Sequence, residues 1–228
     1  TIVLMQPSLP VAFFDLSLIP EHDYYQGRGN VLETRGVLNP IHATGAHHTD
    51  KGLIMIGGPS KHCDWNENHI TSQITQLCKQ NPRIHYTLTT SPRTPANFAT
   101  HMLGFKLANL TIVPFEETDR NWVSRQLAAS YSAWISEDSV SMVYEALTAN
   151  TAVGILNMPI KRDNRVSRGL SKLVGEGYAV RCNSLGHYKN RLQAVPGFME
   201  SERCADWIAK HWLDGVPQAQ PQPIPQLS

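Results

Sequence analysis

The residues best suited to a chemical task lie in a polar turn between a strand pattern and a helix pattern. A short apolar run ends at Ile135, and apolar residues from Val140 to Leu147 then recur at helical spacing. The first N–H groups of a helix have no partner inside it, so they can bind a phosphate, and hydroxyl groups add donors. The turn supplies acids and hydroxyls together: Ser136, Glu137, Asp138, Ser139 and Ser141.

Acidic residues in this turn leave two interpretations open. Glu137 and Asp138 suit the start of a helix but would repel a phosphate beside them, so the turn alone favours a plain capped helix. The second interpretation depends on Glu145, which follows Asp138 by about two helical turns. A carboxylate at that level can bind ribose hydroxyls while the turn above it holds a diphosphate. This geometry fits a nucleoside diphosphate ligand.

Two further loops follow predicted strands and end at the same edge of the predicted sheet. Gly57 and Gly58 would let the backbone approach a ligand closely, although the run matches neither the G-x-G-x-x-G nor the P-loop pattern. Ser60 and Lys61 come next, and Lys61 could neutralise a diphosphate or lie exposed in solvent. Arg93 stands between two prolines, which suits recognition of a phosphate or carboxylate or a plain polar connection.

Strand and helix patterns alternate four or five times from Gly52 onward, and that alternation predicts an α/β fold with a doubly wound parallel sheet. A smaller strand-rich region precedes it, and residues 39–51 read as a linker between the two. We predict strands at 2–5, 13–19, 30–38, 53–56, 84–88, 110–113, 132–135 and 152–156. We predict helices at 65–80, 96–103, 121–130, from Val140 onward, 168–174 and 201–213.

Composition excludes several classes of function. The 228 residues carry a net charge of +1 without a long basic run, which argues against nucleic-acid binding. Four widely spaced cysteines form no CxxC pair, and ten histidines form neither HxxxH nor HExxH, so we predict no metal site. No apolar run is long enough to span a bilayer. We expect a cytoplasmic protein that could lie at a membrane surface. The chain begins at Thr1 without an initiator methionine, which suggests a fragment or a processed form.

Four segments resemble the Elm-type mitochondrial fission family and its bacterial relatives. They are Leu16–Asp23, Gly57–Ser60, Thr89–Thr94 and Ser136–Met142, and the likeness runs from about residue 1 to residue 180. The order of a Gly-Gly turn, a strand ending in Pro-Phe and a Ser-rich turn with a later Glu is similar, more distantly, to GT-B glycosyltransferases. The resemblance implies a Rossmann-like GT-B C-terminal domain with part of an N-terminal domain.

In GT-B enzymes the corresponding residues bind the donor, and that resemblance assigns roles here. It implies that Phe115 lies near the base, that Ser139 and Ser141 lie at the diphosphate, and that Glu145 lies at the ribose. Glu137 and Glu145 match the Glu-x7-Glu spacing of retaining members, in which the first acid touches the donor sugar. Such enzymes need no metal or other cofactor.

The resemblance also implies that the acceptor's activating base comes from the N-terminal domain. His22 and Asp23 are the candidates there, although a strand-end histidine is more often satisfied by backbone. We therefore name His22, Asp23 and Glu137 as candidate catalytic residues.

The domain prediction assigns residues 1–45 to the remnant of an N-terminal domain, 46–215 to a nucleotide-sugar-binding domain, and 216–228 to a flexible Pro/Gln tail. The leading functional hypothesis is a metal-independent glycosyltransferase, or its donor-binding part, with a nucleotide sugar as donor and a lipid-linked or glycan acceptor. One alternative is a non-catalytic GT-B-like scaffold for protein partners. The other is a sugar-nucleotide epimerase, which would need bases on both sides of the sugar.

Overall fold

The computed structural model of this chain describes residues 1–213 apart from residues 24, 28, 43–44, 162–164 and 183–191, and only the backbone at residues 165 and 166. The predicted tail at 216–228 lies outside the described residues. Two parallel sheets organise the described part of the chain, one of three strands and one of six.

Six parallel strands form the larger sheet, and five helices connect them. The strands are β4 (His48–Met55), β5 (His85–Thr89), β6 (Leu110–Val113), β7 (Ser130–Ser136), β8 (Ala152–Leu156) and β9 (Ala179–Arg181). The helices are α1 (Glu67–Gln80), α2 (Phe98–Leu103), α3 (Trp122–Ala129), α4 (Val140–Thr148) and α5 (Arg165–Gly175). The strand order is β6-β5-β4-β7-β8-β9, so the direction of winding reverses between β4 and β7. The predicted doubly wound, Rossmann-like α/β fold is confirmed.

Side chains alternate between two apolar cores, one on each face of this sheet. In β4, Met55 joins the core under α3, α4 and α5, whereas Ile54 joins the core under α1 and α2. Both faces of the central strands are therefore covered, which explains why these strands are almost uniformly apolar in sequence. Trp134 of β7 is the largest fully buried side chain and lies in the second core.

Residues 39–51 are predicted as a linker, and this prediction is wrong for residues 48–51, which belong to a strand. Strand β4 begins at His48, because His48 pairs with Ser130 at the start of β7. The residues from His48 to Lys51 are exposed, so they carry no apolar pattern from which a strand could be predicted. The strand predicted at residues 30–38 is likewise shorter in the structure, since β3 covers only Val31–Thr34.

A second parallel sheet has the order β1-β2-β3, formed by Ile2–Leu4, Leu16–Pro20 and Val31–Thr34. Helix α6 (Glu200–Ile208) returns from the far end of the chain and packs on this sheet. Its Cys204, Trp207 and Ile208 pack with Leu16 and Leu18 of β2 in a third, smaller apolar core. The C-terminal helix thus completes the smaller unit rather than the larger one.

Tyr144 of α4 lies where the two units meet. Its ring stacks on His22, with the ring centroids 6.1 Å apart and an interplanar angle of 14°. On another side it stacks on Phe198, at 5.7 Å. Burial, with further contributions from Glu21 and Glu176, raises the pKa of Tyr144 well above its ordinary range. These ring contacts hold α4 in place, and α4 also carries Glu145, the residue that follows Tyr144.

Candidate functional site

The loops that follow β4 and β7 meet at the reversal point of the large sheet, where open α/β proteins bind their ligands. Gly57 follows β4, and its N–H donates to Ser136 Oγ at 2.7 Å. The next amide, that of Gly58, donates to Asp138 Oδ2 at 3.0 Å. The sequence correctly predicts that these two loops share an edge. They also contact one another directly, which the sequence does not reveal.

Asp138 is the centre of this contact. Its carboxylate is fully buried and pairs with Arg93 Nη2 at 2.7 Å. Ser136 Oγ donates to Asp138 Oδ1 at 2.7 Å, and Ser139 Oγ donates to Asp138 Oδ2 at 3.1 Å. The guanidinium of Arg93 also donates to Ser139 Oγ and to the carbonyl of Gly58. Three predicted binding loops are therefore tied together by one aspartate.

Gly57 and Gly58 allow the loop after β4 to lie directly against the other two loops. A Cβ atom on Gly57 would lie 2.1 Å from Asp138 Oδ2 and from Ser139 Oγ. On Gly58 it would lie 2.1 Å from the carbonyl oxygen of Arg93. Real Cβ atoms do not approach so closely, so both positions need glycine for packing of protein against protein. The sequence predicts a close approach of backbone to a ligand, and in the structure side chains and backbone of this chain take that place.

Glu137 is held in a second, separate ion pair. It is almost completely buried, and Arg181 Nη1 lies 2.5 Å from its Oε1. The backbone N–H of Met158 also donates to Glu137 Oε2, at 3.3 Å. These contacts join the end of β7 to the regions after β8 and in β9. Contact of Glu137 with a donor sugar stays a prediction, because its described contacts are structural.

Sequence reasoning missed Arg181, although a signal existed. Arg181 is the last residue of β9, and parallel strands end at a common edge. Extending the strand-end argument to a sixth strand would have brought this guanidinium to the same edge as Glu137. As a result, each acid of the turn has one arginine partner, and neither presents an unbalanced charge.

The start of α4 keeps its backbone donors. Ser139 is the N-cap residue, yet no described side chain caps the helix, because the Ser139 hydroxyl is engaged with Asp138. Among the described residues, the N–H groups of Val140, Ser141 and Met142 thus have neither an intrahelical partner nor a side-chain cap. Ser141 lies in this turn with its side chain exposed.

Glu145 lies one turn below Ser141 on the same face of α4. Its side chain is half-buried, and none of the described residues donates a hydrogen bond to it. Burial raises the pKa of this carboxyl group. This is a polar group in an unfavourable setting, which is often where function is found.

The remaining predicted residues lie around the same edge with varied contacts. Ser60 Oγ accepts hydrogen bonds from the N–H groups of His62 and Cys63 in a tight turn. Lys61 is exposed. The N–H of Phe115 donates to Thr90 Oγ1 at 3.1 Å, and its side chain is partly exposed after β6. None of these contacts tests the predicted ligand roles.

His22 and Asp23 lie in a single helical turn, Glu21–Asp23, directly after β2. The turn packs against α5, where Glu21 Oε2 lies 2.5 Å from Lys172 Nζ. His22 reaches α4 through its stack on Tyr144. The structure therefore brings His22 to the helix that bears Glu145, and its role as a base stays a prediction.

The described residues provide neither a metal-binding cluster nor a membrane-spanning helix. No group of three or more His, Cys, Asp or Glu side chains in the described part of the chain could hold a metal ion. Within the same residues, every helix is too short or too polar to cross a bilayer.

A six-stranded parallel sheet with helices on both faces and a polar cluster at its reversal point defines a doubly wound, Rossmann-like α/β protein. The chain belongs to the family described as "Mitochondrial fission ELM1", which matches residues 1–212. The family resemblance drawn from the sequence is therefore confirmed. No curated protein matches the chain.

Several solved structures are similar to this chain at low sequence identity. MurG of Acinetobacter baumannii is 17% identical, with 73% of this chain and 46% of that chain covered and a TM-score of 0.47. The UDP-GlcNAc 2-epimerase of Methanocaldococcus jannaschii, solved with UDP-GlcNAc and UDP, is 14% identical, with coverages of 71% and 46% and a TM-score of 0.39. An FMN-dependent UbiX-like decarboxylase of Escherichia coli O157:H7 is 10% identical, with coverages of 70% and 93% and a TM-score of 0.39. The chain spans less than half the length of the first two proteins.

Proposed function

We propose that this chain binds a nucleoside diphosphate sugar at the start of α4 and acts as a metal-independent glycosyltransferase or as its donor-binding part. The donor's diphosphate would accept hydrogen bonds from the first amides of α4 and from Ser141. The ribose hydroxyls would donate to Glu145. The acceptor, lipid-linked or a glycan, would approach from the smaller sheet.

The observation that carries this proposal is the state of Glu145. A half-buried carboxylate without a described hydrogen-bond donor costs free energy, and its position near the C-terminal end of α4 adds an unfavourable interaction with the helix dipole. Adjacent hydroxyls of a ribose are the donors such a group lacks. A ligand would therefore relieve a cost that the free protein carries.

Charge balance also supports anion binding. The sequence alone suggests that Glu137 and Asp138 would repel a phosphate at the helix start. Each of them is paired with an arginine in the structure, so their fields are largely offset. The start of α4, which has no side-chain cap from Ser139, would then present positive potential to a bound diphosphate, and a metal ion would not be needed to offset the diphosphate charge.

A second candidate function is the non-catalytic scaffold, and one specific observation favours it. The Asp138 network engages the amides of Gly57 and Gly58 and part of the Arg93 guanidinium, which are groups a donor diphosphate would otherwise use. When the donors of a loop cluster are already bonded to side chains of the same chain, few remain for a ligand. Such a cluster suits a fold whose function is to bind other proteins. The epimerase alternative gains no such support.

Thermal unfolding in the presence of nucleotides separates the two candidates. UDP, GDP, ADP and UDP-sugars are each added in excess to the purified chain. Binding at one hundred times the dissociation constant stabilises by about 2.7 kcal/mol, which corresponds to a rise in Tm of about 5 to 10 °C for a chain of this size. Glu145→Ala is expected to abolish the shift.

Glu117→Ala is the matched control, because Glu117 is an exposed acid after β6 at the same edge of the sheet. It should keep the full shift. A flat melting profile for every nucleotide on the unmodified chain would contradict donor binding and favour the scaffold. An undiminished shift in Glu145→Ala would contradict the role assigned to this carboxylate.

A further inference from the structure

Asp138 occupies a site with the composition of an oxyanion receptor. The donors that converge on its carboxylate are the Gly58 N–H, the Ser136 and Ser139 hydroxyls, and the Arg93 guanidinium. Backbone amides, hydroxyls and a guanidinium are the groups with which proteins bind phosphate and carboxylate ions. Here all of them are directed at a side chain of the same molecule.

No room for another anion remains while Asp138 is in place. Its side chain is completely buried, and the space beside Gly57 is too small even for a Cβ atom, which would lie 2.1 Å from Asp138 Oδ2. Any external anion that uses these donors must therefore replace the carboxylate rather than bind next to it.

Arg93 joins this receptor to the solvent. Its Nη2 contacts Asp138 and Ser139, and its Nη1 contacts the carbonyl of Gly58, yet 44% of its side chain is exposed. The guanidinium has five N–H donors, so it can contact an anion on its solvent side and Asp138 on its protein side. An incoming diphosphate would thus meet Arg93 first and compete with Asp138 for it.

We propose that Asp138 is an internal anion that closes an oxyanion site formed by Gly58, Arg93, Ser136 and Ser139, and that it must leave this site before a phosphate group can enter. The closed site is self-inhibited. An external anion can bind only to the small fraction of molecules in which Asp138 is displaced. The apparent affinity of the site is lowered in proportion to that fraction. The inference deepens the proposed function, because a donor diphosphate would be the natural occupant.

Removal of the carboxylate tests the proposal with inorganic pyrophosphate as the probe. Asp138→Ala leaves the four donors in place and frees the space of the carboxylate. We expect pyrophosphate to bind the variant at least tenfold more tightly than the unmodified chain, as measured by calorimetry and by the rise in Tm. Formate and acetate should also stabilise the variant, because they restore the missing carboxylate, and they should leave the unmodified chain unchanged.

Asp119→Ala is the matched control. Asp119 also pairs with an arginine of the same domain, Arg125, but both side chains are more than half exposed. This variant should bind pyrophosphate no better than the unmodified chain. Equal pyrophosphate affinity in Asp138→Ala and the unmodified chain, or no response of the variant to any of the three anions, would overturn the proposal.

Two features keep the result interpretable. If Asp138→Ala does not fold in buffer alone, it is refolded with formate or acetate, and failure of both to restore folding counts against the proposal. Pyrophosphate has no ribose, so its binding does not depend on Glu145. The Asp138 proposal can therefore fail while nucleotides still bind through Glu145, and nucleotide binding can fail while the oxyanion site opens as expected.

Discussion

Replacement of Glu145 by glutamine should make the free protein more stable at neutral pH, although Glu145 is a candidate ligand contact. The carboxylate is half-buried and receives no hydrogen bond from the described residues. A buried group left without a partner costs roughly 1 to 3 kcal/mol and more when it is charged, so replacing the Glu145 carboxylate by a neutral amide recovers the difference, which partial exposure to water limits to less than about 1 kcal/mol. Its charge also lies in the last turn of α4, where removing it gains about 0.3 kcal/mol.

The glutamine variant keeps the length and helix propensity of the side chain and removes only the charge. We therefore expect a gain of about 1 kcal/mol, or a rise in Tm of about 2 to 4 °C, at pH 7. This sign is opposite to that of most substitutions in a folded protein. It is the behaviour expected of a residue retained for binding at some expense in stability.

The pH dependence follows from the raised pKa of Glu145. Because the carboxyl group binds its proton more tightly in the folded state than in the unfolded state, it destabilises the fold only when ionised. The penalty is absent below the unfolded pKa and grows as the pH rises through the folded pKa. The advantage of glutamine should consequently be present at pH 7 and disappear at about pH 4.

Urea unfolding of both proteins at pH 4 and pH 7 checks this reasoning. Glu117→Gln serves as the control, since Glu117 is exposed and its replacement should change stability by less than about 0.5 kcal/mol at either pH. A loss of stability in Glu145→Gln at pH 7 would refute the argument, because it would show that the carboxylate has a stabilising partner.

Two other predictions concern the network that surrounds the helix start. Arg181→Met should destabilise the protein by about 3 kcal/mol in urea unfolding, because it leaves Glu137 buried without its counter-charge. Adding Glu137→Gln to the same molecule should restore most of that stability. A loss below about 1 kcal/mol in Arg181→Met would contradict a buried ion pair. Gly57→Ala should lower the free energy of unfolding by at least about 2 kcal/mol, since the new Cβ atom would collide with Asp138. Gly175→Ala is the control: a Cβ atom at this exposed end of α5 meets nothing within 4 Å, so the substitution should be neutral or stabilising. Similar stability of the two alanine variants, compared by thermal unfolding, would contradict the close packing described at Gly57.

The general architecture was accessible from the sequence, because it depends on local patterns. Apolar runs of four or five residues alternate with helical periodicity, and that alternation predicts the parallel sheet and the helices between its strands. The outer half of β4 from His48 to Lys51 was not accessible. Its side chains are exposed, and it is a strand because His48 pairs with β7 and Lys51 pairs with β5.

The edge of the candidate site was also predictable, whereas the pairing of its charges was not. Parallel strands end together, so strand-end loops could be assigned to one edge without knowledge of contacts. Which arginine balances which acid depends on the strand order β6-β5-β4-β7-β8-β9, since Arg93 follows β5 and Arg181 ends β9. Neither partner is near its acid in the chain, and no local pattern marks the pair.

This difference changes which carboxylate matters. The sequence does not show which of Glu137, Asp138 and Glu145 the fold pairs with a basic side chain. In the structure, two of them are buried with arginine partners, and only Glu145 lacks a described donor. A carboxylate that the fold has already satisfied gains little from a ligand, and one that it has left without a donor gains most. Nucleotide binding should therefore depend on Glu145 far more than on Glu137. A nucleotide-binding assay tests this conclusion directly, since Glu145→Gln should lower the affinity more than Glu137→Gln does.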